Sequence, residues 1–174
     1  QIGGELLSVD TNFVDTIWED QPAPPCQPLK THPLIFSGES ANDKISRLRE
    51  DLQQENASAM ILSRLDDIAW LLNIRGDDIP YNPLSICYVI ITQEKATLFT
   101  DLKKVNASLR TWLTEAGDVL SEYALFSKAL STIAGALWLD PDCSWWIEQQ
   151  CNTASLLLKQ TPIKLKKACK NSIE

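Results

Sequence analysis

The chain has 174 residues, 44% hydrophobic and 22% charged, which suits one packed domain with a short appendage and excludes a disordered or fibrous chain. Its 16 Lys and Arg against 23 Asp and Glu give a net charge of -7, which repels phosphate backbones and anionic headgroups and argues against nucleic acid or a membrane surface as partner. No apolar run approaches the ~20 residues of a membrane helix, and Gln1 to Asp10 lacks the pattern of a secretory signal. Five cysteines, an odd number without a CxxC pair, fit a reducing cytoplasm better than a disulfide or zinc framework. The chain starts without Met, in mid-pattern, which predicts a piece of a longer polypeptide.

In chain order, Phe13, Val14, Ile17 and Trp18 predict a short amphipathic helix over 10–20, too short to be stable alone and so expected to pack on something. Residues 21–33 form a proline-rich linker, with four of the nine prolines between Gln21 and Pro28. From Leu34 the apolar period alternates between helix and strand, predicting an α/β domain over 34–161. Ser40 and Asp43 cap a helix carrying Ile45, Leu48 and Leu52 and ended by Asn56. Ala59–Leu62 is a strand, and Ser63 with Asp66 repeats the cap signature before a second helix ending near Asn73. Ile86–Ile91, apolar on both faces, predicts a central strand. The polar stretch Thr92 to Lys95 is too short for a crossover and makes Ala96–Thr100 its antiparallel partner. There follow a helix over Val105, Leu109 and Leu113 stopped by Gly117, a brief strand at Val119 and Leu120, and a helix from Phe126 to Ile133 ended by Gly135. A strand Ala136–Leu139, a helix Cys143–Gln150 and a last strand Ser155–Leu158 complete one mixed sheet with helices on its faces. Thr161-Pro162 predicts a capped turn opening a connection over 162–174. Its Lys164, Lys166, Lys167 and Lys170 read as a solvated face, a set of salt bridges to a neighbour, or a ligand patch.

A single histidine, His32, lies beside Pro33 in the linker and reads as an exposed linker residue, which removes imidazole-based hydrolase and zinc chemistry. No GxSxG, Walker, GxGxxG or HExxH pattern is present. The carboxylates Asp66-Asp67, Asp77-Asp78 and Asp140 with Asp142 are candidate metal ligands, but each also has a structural reading in a helix first turn or a loop turn. The six tryptophans, spread over helices and strands, read as core and interface packing. No catalytic, cofactor-binding or metal-binding residue is assigned. The long polar loop 73–83, between a helix end and a central strand, offers two readings. One is a functional loop in which Arg75 presents a planar fork to a carboxylate; the other is a structural loop closed by an Arg75–Asp78 salt bridge.

The run Leu65-Asp66-Asp67-Ile68-Ala69-Trp70-Leu71-Leu72-Asn73-Ile74-Arg75-Gly76-Asp77-Asp78-Ile79-Pro80-Tyr81-Asn82-Pro83 resembles the middle domain of cytosolic Xaa-Pro aminopeptidases, members of the M24 metallopeptidases. Asn12 to Trp18 is similar to the end of that family's first domain, so residues 1–20 are expected to carry that domain's last helix, and Lys167-Ala168-Cys169-Lys170-Asn171-Ser172-Ile173-Glu174 resembles the passage into its catalytic domain. Against that resemblance Asp77, Ile79 and Tyr81 are modest departures, at positions the family pattern is expected to leave variable. The resemblance implies the creatinase/prolidase N-terminal fold, a mixed sheet of ribonuclease H-like topology. It implies two divalent metal ions, usually manganese, in a catalytic domain beyond these residues. It further implies a peptide substrate with proline second, N-terminal and catalytic domains of the same protein as partners, a homodimer, and a cytoplasmic location. The expected role is to wall the active-site cleft, with the loop carrying Arg75, Gly76, Asp78, Asn82 and Pro83 facing it. The alternative is a stand-alone interaction or scaffold domain without a catalytic partner.

Overall fold

Ser40 accepts the Asp43 amide at 3.1 Å and so starts the first long helix where the sequence placed it. The structure, a computed structural model, describes Gly4, Leu7, Val9 and residues 11–115, 118–151 and 155–173. In chain order the elements are β1 (Lys30–Thr31), α1 (Leu34–Ser37), α2 (Ala41–Gln54), β2 (Ala59–Leu62), α3 (Leu65–Leu71), β3 (Ile74–Arg75), β4 (Tyr88–Thr92) and β5 (Ala96–Thr100). They continue with α4 (Ala107–Glu115), β6 (Asp118–Glu122), α5 (Phe126–Thr132), β7 (Ala136–Leu139), α6 (Trp145–Gln150), β8 (Ser155–Leu158) and α7 (Ile163–Ala168).

Six of the described strands form one mixed sheet in the order β6-β5-β4-β2-β7-β8. The β4–β5 hairpin is antiparallel as expected, Thr92 donating to the Lys95 carbonyl and its hydroxyl accepting the Glu94 and Lys95 amides. β2 pairs antiparallel with β4 and parallel with β7, while β5–β6 and β7–β8 are parallel. The period-2 geometry of strands sorts the core into two layers. Met60, Leu62, Val89, Ile91, Leu98 and Trp138 face the layer closed by α2, α3, α4 and α7. Ala59, Ile61, Ile90, Phe99, Leu137 and Leu139 face the layer closed by α5 and α6.

Several expectations change. Segment 11–20 folds into turns, not a helix, with Ile17 and Trp18 amides on the Val14 carbonyl; Phe13, Val14, Ile17 and Trp18 stay exposed, so no packing supports a helix too short to stand alone. Asp10 and the expected stop at Gly117 lie outside the described residues. Ser63 does not cap α3: Arg64 occupies the cap position without a side-chain bond, and Asp66 and Asp67 in the first turn meet Lys167 at 2.5 and 2.6 Å instead. Lys166 likewise reaches Asp51 at 3.2 Å, so part of the basic cluster ties α7 to α3 and α2. Thr161 does not cap α7 either; Pro162 stands there, and the buried Thr161 hydroxyl lacks a partner while its amide donates to Asp140. Trp138 is buried in the core and Trp70 and Trp112 pack against it, whereas Trp18, Trp145 and Trp146 are exposed.

The linker is not a free spacer. Leu29 is buried in the first core layer, its amide on the Lys104 carbonyl at 2.9 Å, and β1 pairs antiparallel with β3. His32 is half-buried, its amide bonded to the Asn73 carbonyl and its ring 5.9 Å from Phe36.

Candidate functional site

The loop after α3 is a braced finger. Asn73 turns the chain out of the helix in the left-handed region at φ 49, its side chain donating to the Glu39 carbonyl and accepting from Lys44. Gly76 then passes so close to the returning strand that a Cβ there would stand 2.6 Å from Ser85 Cβ. The two arms are joined by the Gly76 amide on Pro83 and the Asp78 amide on Leu84. At the tip, Asn82 donates back to Ile79 at 3.1 Å, with Pro80 second and Tyr81 third at φ 62, the pattern of a type II turn.

Asp78 anchors the base. Its carboxylate accepts Lys104 Nζ at 2.6 Å, Ser85 Oγ at 2.7 Å, the Ile86 amide at 2.8 Å and the Gln27 amide at 3.1 Å. Both members of the Asp78–Lys104 pair are buried. This node welds linker, finger, β4 approach and the 3₁₀ turn Leu102–Lys104 together. It also explains why the central strand begins at Tyr88 and not at Ile86: the Ile86 amide is committed to Asp78, and its carbonyl accepts from Thr100.

The structure therefore divides the sequence-predicted site residues. Arg75 does not pair with Asp78; its Nη1 donates to the Ala69 and Ile74 carbonyls at 3.0 and 2.8 Å, securing the end of α3. Gly76 and Asp78 are buried scaffold, whereas Asn82 and Pro83 are exposed. Lys104 and Gln27 escaped sequence reasoning, because a Lys-Lys pair and a proline-rich stretch both read as solvated.

The sequence model of the Creatinase/Prolidase N-terminal domain matches residues 20–174. The chain belongs to that family. The probable Xaa-Pro aminopeptidase P of Colletotrichum graminicola is 40% identical over 132 residues, covering 75% of this chain and 21% of that protein. Aminopeptidase P1 of Arabidopsis thaliana is 32% identical over an alignment of 199 residues, covering 98% of this chain and 31% of that protein. This creatinase/prolidase-type domain thus spans a fifth to a third of the curated relatives it matches. Among solved structures, the X-prolyl aminopeptidase of Caenorhabditis elegans, described as a cytosolic enzyme with a di-nuclear active site, superposes with TM-score 0.87 at 27% identity, over 96% of this chain and 29% of that one. The prolidase of Pyrococcus horikoshii, TM-score 0.52 at 17% identity, shares the fold.

A metal pair does not fit the described residues of this creatinase/prolidase-type domain, among which no group of three or more His, Cys, Asp or Glu is placed to hold an ion. The three carboxylate pairs are occupied internally: Asp66 and Asp67 by Lys167, Asp77 by Lys30, Asp78 by Lys104, Asp140 by the Asp142 and Thr161 amides and Asp142 by Arg64. No helix among these residues is long and apolar enough to cross a membrane. Burial pushes the Asp78 carboxyl up, but the Lys104 ammonium, Ser85 hydroxyl and two amides outweigh it and leave the group below its ordinary 3.8. Next to the node, burial pushes the Cys87 thiol up to about 12. Iodoacetamide near pH 8 should therefore modify exposed Cys169 while Cys87 stays intact, as read by peptide mass mapping. Comparable labelling of Cys87 would mean that the node opens.

Proposed function

We propose that this domain is the noncatalytic part of a longer metal-dependent Xaa-Pro aminopeptidase, which removes an N-terminal residue preceding proline. The similarity to the Colletotrichum, Arabidopsis and nematode aminopeptidases carries this reading. Two divalent ions, manganese by family habit, belong to a catalytic domain outside residues 1–174. The domain walls one side of the cleft, limits access to free peptide N-termini and fixes domain and dimer arrangement in a cytoplasmic enzyme.

The finger supports the wall role: loop 75–83, with Arg75, Gly76 and Asp78 as bracing and Asn82 and Pro83 outward, faces the cleft. Such bracing presents side chains from a backbone that is already ordered, which lowers the cost of binding. Asn82→Ala in the longer protein is expected to lower kcat/KM for a proline-second tripeptide about tenfold with an unchanged Tm. Unchanged kinetics would remove the cleft-facing placement.

A further inference from the structure

Tyr81 is the most conspicuous unexplained residue in the molecule. It is fully exposed and sits at φ 62, a backbone region that costs a residue with a Cβ free energy and that glycine occupies without strain. Among the described residues Tyr81 itself makes no hydrogen bond, ion pair or ring contact. The third position of a Pro-initiated type II turn is where glycine or asparagine is expected, yet a tyrosine stands there. The turn cannot relax to another form cheaply. Pro80 fixes its own φ, the Ile79–Asn82 bridge closes the tip, and below it the finger is tied to the buried Asp78–Lys104 node.

Strain of this kind persists where something else over-determines it, and it gathers at contact sites. An exposed aromatic ring with a polar tip, carried on a braced backbone, is also among the side chains that contribute most to polypeptide interfaces. The domain spans 21% to 31% of the curated relatives quoted above, so the corresponding longer protein has ample polypeptide to meet the finger. We infer that Tyr81 is a docking residue, its ring seated against the catalytic polypeptide of the same longer molecule, with Arg75, Gly76 and Asp78 acting only to position it. This rests on the aminopeptidase reading and deepens it: the finger's contact is made by a residue other than the five first expected to face the cleft.

Tyrosine nitration with tetranitromethane, quantified by peptide mass spectrometry, tests this with internal references, since Tyr88 and Tyr123 stack on each other at 5.3 Å. In the 174-residue chain Tyr81 should react fastest. In the longer gene product without peptide it should react at least about tenfold more slowly, with Tyr88 and Tyr123 unchanged. Equal reactivity in both proteins overturns the inference. So does protection that appears only on adding a proline-second peptide, which would make Tyr81 a substrate contact, or only at concentrations where the longer protein dimerises. A second readout is the sign of Tyr81→Gly: it should raise the Tm of the 174-residue chain by relieving strain and lower that of the longer protein by removing the contact. The same sign in both overturns the inference. If the longer protein is protected at Tyr81 but does not cleave Xaa-Pro peptides, the function reading fails and the docking residue stands.

Discussion

Asp78→Ala is expected to lower the unfolding free energy by about 3–5 kcal/mol, because it leaves the Lys104 ammonium buried and unpaired. The same substitution removes the acceptor shared by the Ser85 hydroxyl and the Ile86 and Gln27 amides. Denaturant unfolding measures the loss, and a change under about 1 kcal/mol would mean that water reaches the node. Asp78→Leu combined with Lys104→Met should recover part of the stability, since no charge is then buried, but not all of it, since two amides stay unsatisfied. A pH dependence follows with a definite sign. The folded-state carboxyl lies below its ordinary 3.8, so its contribution is complete above about pH 4 and fades as pH falls through the depressed value. Asp66 acts in the same direction: burial raises its carboxyl, but Lys167 and Arg64 bring it below the ordinary value. Acid unfolding should shift toward higher pH in Asp78→Ala.

The second large effect is expected at Phe126. Among the described residues the layer opposite the finger is closed by two short helices, and Phe126 is fully buried between them and the sheet. Its ring stacks on Tyr88 at 4.0 Å, meets Phe99 edge-on at 5.4 Å and approaches Trp146 at 6.4 Å. Phe126→Ala should cost about 3–5 kcal/mol through lost burial and the cavity left behind. Trp146 fluorescence should report α6 loosening with it, because Ser127 holds Gln150 at 2.6 Å across the two helices. A loss below about 1 kcal/mol would show that the layer collapses around the gap.

The sheet was legible because its signals are local. Thr92 to Lys95 could only be a hairpin, Ala59–Leu62 was apolar at every position, and Ser40 with Asp43 is a cap in three dimensions as in one. The signal failed where a distant partner decides the outcome. Nothing near Lys104 in sequence distinguishes it from solvated Lys103, and its partner Asp78 is 26 residues away. Ser63 and Thr161 carry cap-forming side chains, yet the first is bypassed by ion pairs to Lys167 and the second is buried at the turn beside Asp140. Arg75 looked like a fork for a ligand because sequence cannot show the two carbonyls at the end of α3 that it meets. The segment 11–20 has a helical pattern, but its apolar residues stay exposed and no packing completes it.

Side-by-side turnover of a proline-second tripeptide by the 174-residue chain and by the longer gene product, each with manganese supplied, tests the central claim most directly. The expected result is release of the first residue by the longer protein alone, the chain itself giving none above buffer. Cleavage by the purified 174-residue chain, or a longer product that leaves the tripeptide intact, would contradict it.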